Sequence, residues 1–386
     1  MRFIEGAAEQ LPLLLIVAVV AAAISLLVTP LVRDRAIRRG QLDQPDARRV
    51  NLTAIPRGGG VAVAVSFLVV SAALLLLNDV LFLVPLTFLL ERGELIALLG
   101  GGAAAAALGA LDDRYDLRAR WQLLGQVALA LGAVWLGISV TGVNNPFGSG
   151  RVAFDELFAV GFTVLWIVGM INSINFIDGL DGLSTGIAII AALTLGALSL
   201  TTQIGQPLIA VLCFILAGAL AGFLRWNFNP ASIFTGTAGV TFVGYTLAIL
   251  AILGTAKIAV ALLVLGVPII DTFWIIVRRL IGGGSPFTPD RGHLHHRLLD
   301  LGLSHRQTVL LIYWMCATLG LLSFLLSGIG QVYAFLGVLL GTGLVLFAVT
   351  RGGSGAEVAS ALTPESYEPE PRGSGSLPPD RAEHPD

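Results

Sequence analysis

Four short stretches of this chain gather residues that can hold a cation or a phosphate. The first is Leu111-Asp112-Asp113-Arg114-Tyr115-Asp116-Leu117, two adjacent carboxylates closing a run rich in glycine and alanine. Neighbours on a helix point about 100° apart, so one carboxylate can bind a metal while the other faces a different partner. A plain helix end is the weaker reading, because the dipole disfavours Asp at a helix C-terminus. The second stretch runs from Asn172 to Leu183, with Asn172, Asn175, Asp178 and Asp181 recurring every three residues. On a helical or tight-turn backbone they form one stripe, two amides and two carboxylates suited to Mg²⁺ and a polar ligand. Gly179 and Gly182 let the backbone come close to something, and an Asx-rich turn would need fewer polar residues. The third stretch, Arg225 to Gly239, is a polar loop returning to small residues. Close helix packing explains Gly236 and Gly239 equally well. The fourth, Asp290 to Leu299, holds three of the five histidines, His293, His295 and His296, flanked by Arg291 and Arg297. Histidine-rich tracts suggest metal, but two adjacent cations favour an anion, with guanidinium forks on phosphate. A positive loop accounts for the arginines and not for the histidines.

One chemistry unites the four. Carboxylates and amides hold Mg²⁺, and arginines and histidines hold phosphate. That suits phosphoryl transfer between a soluble nucleotide compound and a lipid phosphate, where catalysis is mostly positioning and charge neutralisation. A nucleotide sugar and a lipid phosphate repel each other, and a cation with an Arg/His cluster offsets that repulsion.

The elements that must carry these stretches lie in lipid. Of 386 residues, 55% are hydrophobic and 12% charged, about half the charge of a soluble domain, and mean hydropathy is +0.85. The fold class expected is all-α, a polytopic integral membrane protein. Runs long enough to cross a bilayer fall near 11–32, 58–78, 95–111, 121–140, 157–175, 183–202, 207–224, 239–253, 257–277, 307–327 and 330–349, eleven in all. The run from Val80 to Leu90 is short, contains Pro85 and reads as interfacial or re-entrant. The odd-numbered connections and the ends of their spans carry sixteen basic residues, against four for the even ones and the N-terminus. The positive-inside bias therefore puts the odd connections in the cytoplasm, the N-terminus outside and the C-terminus inside. All four polar stretches sit on odd connections. Residues 1–351 read as one transmembrane domain, and 352–386, rich in Pro, Glu, Ser and Gly, as a disordered cytoplasmic tail. Cys213 and Cys316 sit in apolar runs and read as unpaired. A net charge of −2 gives no sign of nucleic-acid binding. A transporter would show ionisable residues in mid-span; almost none occur, Asp271 lying near a span end.

Asp112-Asp113, the Asn172 to Leu183 stripe and His293-Leu294-His295-His296-Arg297-Leu298-Leu299 resemble the polyprenyl-phosphate N-acetylhexosamine-1-phosphate transferases. Within them the histidine motif is similar to the bacterial branch using UDP-N-acetylglucosamine. The resemblance runs from about Leu42 to Val349. It implies transfer of a sugar 1-phosphate from a UDP-N-acetylhexosamine to undecaprenyl or decaprenyl phosphate, with Mg²⁺ (or Mn²⁺) and release of UMP. It also implies a bacterial inner-membrane enzyme working at the cytoplasmic face, and it is compatible with a homodimer. The roles implied are catalytic for Asp112, Asp113, Asp178 and Asp181. They are substrate-binding for Arg57, Asn172, Arg291, His293, His295 and His296, and metal-binding for Asn175, Asp113 and the position of Thr237.

The chain departs from the family pattern in places, among them Phe234-Thr235-Gly236-Thr237-Ala238-Gly239-Val240 where Phe-Met-Gly-Asp-Ser-Gly-Ser is usual. Thr237 stands where a Mg²⁺-binding Asp is usual, Asn51 where a His is usual, and Gln122 where many relatives have Lys. Thr237 brings no charge, so a second reading stays open: an impaired member retained to bind lipid phosphate or nucleotide sugar.

Overall fold

A computed structural model describes residues 7–44, 54–84, 90–145, 150–201, 205–254, 258–266, 269, 271, 294–326 and short pieces from 329 to 341. The helices are α1 (Ala7–Arg38), α2 (Gly60–Leu81), α3 (Arg92–Tyr115, with a π turn at Ile96–Gly100), α4 (Ala119–Trp135) and α5 (Glu156–Ile177). Then come α6 (Leu183–Ser199), α7 (Pro207–Asn227), α8 (Gly236–Leu253), α9 (Ile258–Val264), α10 (Leu294–Asp300) and α11 (His305–Leu325). Two short antiparallel pairs join them: β1 (Leu42–Asp43) with β2 (Ile55–Pro56), and β3 (Gly142–Asn144) with β4 (Arg151–Ala153). The chain is an all-α polytopic membrane protein. Among the described residues, seven helices are long and apolar enough to cross a bilayer: α1, α2, α3, α5, α7, α8 and α11. At 17 residues each, α4 and α6 span only about 26 Å. The first eight expected spans correspond to α1 through α8 and the tenth to α11. The ninth and eleventh fall largely outside the described residues, as does the tail from 352.

The bundle is built around α7 and α8. Within their most apolar windows 83% of residues are buried, against 22% for α1 and 28% for α3. Helices so enclosed carry apolar side chains all round, which is why neither shows a polar face. Their neighbours approach through small residues. A Cβ on Gly218 or Gly222 of α7 would strike the backbone of Ala18 or Ala22 of α1. A turn later the Trp226 indole N–H donates to the Leu26 carbonyl (3.1 Å). Both sequences ascend together, so α1 and α7 are parallel, as two odd-numbered spans must be. Opposite them, α3 runs antiparallel to α8, with Gly101 against Tyr245, Gly102 against Phe242 and Gly109 against Ala238.

The segment before α2 is held like an added strand. Phe234 N–H donates to Pro56 O (2.9 Å), Gly59 N–H to Phe234 O (2.9 Å) and Gly60 N–H to Thr235 O (2.8 Å). These bonds lash the first odd connection to the seventh. At the other end of α2, the Asn78 side chain accepts from Val84 N–H (2.7 Å) and stops the helix. Residues 85–89 of the expected interfacial run lie outside the described residues. Cys213 and Cys316 are both buried.

The α1–α7 seam gives a test. Gly218→Leu forces a side chain into the α1 backbone, and overpacking of this kind costs about 1–3 kcal/mol. The expected result is a lower thermal midpoint in detergent; an unchanged midpoint would refute the seam.

Candidate active site

The two carboxylates that end α3 point apart, as their helical spacing requires. Asp113 turns toward the start of α8: its Oδ1 accepts from Thr237 N–H (2.8 Å) and its Oδ2 from Ala238 N–H (3.0 Å). A carboxylate is unfavourable at the C-terminus of its own helix, and here the N-terminal dipole and amides of α8 offset that cost. The approach depends on Gly236, whose φ of +70° favours glycine. A Cβ there would stand 2.7 Å from Asp113 Oδ2 and 2.5 Å from Gly58 N. Asp112 turns toward α4. Its Oδ1 accepts from Leu117 N–H (2.9 Å) and from the Gln122 amide (2.6 Å). Gln122, where relatives often carry Lys, is thus the group that holds the first carboxylate.

Asp178 and Asp181 lie between α5 and α6. Asp178 Oδ1 accepts from the hydroxyls of Ser184 and Thr235, so it reaches the same α8 entry that Asp113 caps. Burial pushes the Asp178 carboxyl up to about 6, the two hydroxyls pull it down, and the nearby Asp113 and Asp181 charges push it up again. Asp181 turns the other way. Its Oδ2 accepts from the Asn229 amide (2.9 Å) and Ala231 N–H (3.0 Å), pinning the loop before α8. Arg306 at the start of α11 donates to the Asn229 carbonyl through Nη2 (2.9 Å) and Nε (3.2 Å). Gly182 begins α6 at φ +80°, and its carbonyl accepts from the Tyr313 hydroxyl.

The stripe expected from the threefold spacing divides. Asn172 faces α4, donating to Gln126 Oε1 (2.6 Å) and to Val168 O (2.8 Å). Asn175 is half-buried, and its carbonyl accepts from Asp178 N–H (3.3 Å). The reason is that α5 stays helical through Ile177, where a three-residue step turns about 300° rather than a full circle. Gln122 and Gln126, one turn apart on α4, therefore hold Asp112 and Asn172 respectively.

Arg57 is ion-paired with Asp43 and with Asp116 (3.3 Å). Asp43 comes from β1, so the hairpin exists to place this guanidinium. His295 is buried, 3% exposed, and its ring packs where a Cβ on Gly179 would stand. His296 is half-buried with its ring 4.4 Å from that of His295. The buried Asp271 accepts from Leu294 N–H (2.9 Å) and fixes the start of α10. Arg291, His293 and Asn51 lie outside the described residues. Thr237 meets Asp113 through its backbone N–H.

The described residues among these meet at one end of the bundle, fed by the odd connections. Sequence reasoning singled out the stretch that holds Asn229 and Thr235 without giving either a role, and it missed Ser184, Asp43 and Gln126. Asp43 carried a signal as a charged residue near the arginine-rich connection; a hydroxyl or amide inside an apolar helix looks like packing until its partner is known. Among the described residues no three His, Cys, Asp or Glu side chains stand as a ready metal cage. The donors around Asp113 and Asp178 are hard oxygens, the class that Mg²⁺ selects. The Asp113 charge raises the proton affinity of the Asp178 carboxyl, which also fits a site built for a cation.

Carboxylates, an arginine and histidines thus gather at one end of an apolar helical bundle. The chain belongs to glycosyl transferase family 4, whose sequence pattern matches residues 95–255. It is 36% identical to a probable undecaprenyl-phosphate N-acetylglucosaminyl 1-phosphate transferase of Bacillus subtilis, over 79% of this chain and 82% of that protein. It is 34% identical to a decaprenyl-phosphate N-acetylglucosaminephosphotransferase of Mycolicibacterium smegmatis, over 91% and 93%. An undecaprenyl-phosphate alpha-N-acetylglucosaminyl 1-phosphate transferase of Escherichia coli is 27% identical over 74% and 77%.

Asp113→Asn replaces one accepting oxygen with an N–H donor facing the α8 amides. The expected cost is about 1–3 kcal/mol of stability, read as a lower melting midpoint in detergent. A melt identical to the native one would remove Asp113 as the cap of α8.

Proposed function

We propose that this protein transfers N-acetylglucosamine 1-phosphate from UDP-N-acetylglucosamine to undecaprenyl or decaprenyl phosphate, releasing UMP and initiating a cell-envelope glycan. The observation that carries the reading is the convergence of Asp113, Asp178 and the His295 helix at one end of a membrane bundle. Relatives named for this transfer support it. A phosphate oxygen of the lipid attacks the sugar-bearing phosphorus of the donor, the bond to UMP breaks, and UMP leaves with its electrons. A phosphate monoester has a second pKa of about 6, so the nucleophile is largely ionised at neutral pH and little general-base work remains. The residues must then bring two anions together. Arg57, paired at the entrance, and the His295–His296 pair serve the phosphates, with Arg291 and His293 completing the cluster. Asp112 and Asp181 keep the connecting turns in register, and Asn172 does the same against α4.

We place Mg²⁺, with Mn²⁺ as a substitute, against Asp113 and Asp178, with Asn175 and the Thr237 position beside them. When bound, the ion would screen the diphosphate charge and favour the departure of UMP. The loss of charge at Thr237 leaves Asp113 and Asp178 to carry this duty. The site is read as facing the cytoplasm of a bacterial inner membrane, where nucleotide sugars are, and the arginine bias supports that side.

Purified protein given UDP-N-acetylglucosamine, decaprenyl phosphate and Mg²⁺ is expected to release UMP, and His295→Ala with His296→Ala to abolish release with folding intact. Release restored only in Thr237→Asp would replace the proposal with a binding protein. A second measurement concerns pH. A carboxyl raised to about 6 favours the protonated native state, so its contribution to stability is present at low pH and lost as pH rises through about 6. The cation competes with that proton. Mg²⁺ affinity measured by calorimetry is therefore expected to fall as pH drops from 7.5 to 5, and to fall less in Asp178→Asn. Equal pH dependence in both proteins would remove Asp178 from the metal.

A further inference from the structure

Asp271 is a carboxylate only 2% exposed, and the chemistry of transfer gives it no duty. It lies just beyond α9, whose helical bonds continue through Ile269 N–H to Leu265 O (2.9 Å). An ionisable group held among apolar side chains of a membrane bundle is costly and needs a partner. Asp271 Oδ1 accepts from Leu294 N–H (2.9 Å), 23 residues further along the chain. Leu294 opens α10, and the next residue is His295.

The surroundings of His295 leave its ring little freedom. The imidazole meets the turn that carries Asp178 and Asp181: a Cβ on Gly179 would stand 2.4 Å from its Nε2 and 2.9 Å from its Cε1. Asp271, Leu294 and His295 also line one cavity with Ile177, Leu183 and Ile312. Ile177 ends α5 and Leu183 begins α6, so the cavity abuts both ends of that same turn. Its volume is about 10 Å³, at the lower limit for a single water. The ring therefore cannot withdraw from the turn unless α10 moves, and the first residue of α10 is tied to Asp271.

We propose that Asp271 is a positioning residue for the transfer, acting through His295. By holding the first N–H of α10 it sets where the imidazole stands against the Asp178–Asp181 turn, and with it the affinity for the diphosphate of the nucleotide sugar. The inference rests on the transferase reading, in which His295 serves the phosphates. It concerns the donor rather than the acceptor lipid, because what Asp271 fixes is the histidine helix and not the α3–α8 junction where Asp113 stands.

The test measures binding by calorimetry in detergent, with Mg²⁺ and one substrate at a time, so that no turnover is needed. Asp271→Ala is expected to weaken UDP-N-acetylglucosamine about tenfold while leaving decaprenyl phosphate within about twofold of native. Asp271→Asn keeps an oxygen for Leu294 N–H and is expected to recover the donor affinity to within about threefold of native. In a His295→Ala background, adding Asp271→Ala is expected to lower donor affinity no further, since a residue that acts through another is silent once that one is gone. Leu294→Pro removes the N–H instead, at a first helical position where proline is tolerated, and is expected to reproduce the donor-specific loss. It decides the question if the alanine variant does not fold. Unchanged donor affinity in folded Asp271→Ala or Leu294→Pro protein overturns the proposal. So does equal weakening of both substrates, or a further loss in the double variant. Absence of donor binding by the native protein would sink the transferase reading, and this inference with it.

Discussion

The carboxylate of Asp113 joins the end of one helix to the beginning of another, and the rest of the site is arranged around that bond. Two amides at the N-terminus of α8 have no partner within their own helix. At the edge of a bilayer, leaving them unmade would cost on the order of 1–3 kcal/mol each. Asp113 satisfies both, and in doing so fixes where α3 stops relative to α8. The close approach needs Gly236 and Gly109 to have no side chain, and it draws in the Pro56–Gly60 segment, which pairs with Phe234 and Thr235. Thr235 then reaches Asp178. One electrostatic contact thus brings four connections of the chain into a single cluster.

The same residues serve structure and chemistry at once. Asp112, Asp113, Asp178 and Asp181 each accept hydrogen bonds from loop amides, side-chain amides or hydroxyls. A carboxylate has about four lone-pair sites, so each retains acceptor capacity after holding its loop. The negative charges are positioned by bonds that exist without substrate, so the oxygens of the proposed cation site are already oriented. At position 237 the backbone N–H holds Asp113 while the side chain brings no charge.

Behind the site, glycine and alanine set the spacing of the bundle. Where they meet another backbone, as in Gly218 against Ala18 or Gly60 against Gly239, helices close to contact and lock the topology. Where they meet open space, as at Gly132 of α4, no neighbouring helix approaches. The same residue type therefore reports two opposite things, and only the location of its neighbour distinguishes them.

The sequence by itself determined the class of fold, the positions of the first eight long helices, and the four polar stretches together with their common side of the bundle. These follow from local quantities: hydropathy over about 20 residues and polar residues costly to hold near lipid. Alternating connections then force the odd ones to one end. The sequence also predicted that Asp112 and Asp113 would face different partners. What it could not determine was the partner of each group. The Asn172 to Asp181 series looked like one ligand stripe, yet Asn172 belongs to α4, and Asp181 to the loop before α8. Ser184 and Gln126 looked like filler, and Thr235 had no partner assigned. Only tertiary structure decided these, because a hydrogen bond spans about 3 Å while its partners, such as Asp113 and Thr237, are separated by 124 residues of chain.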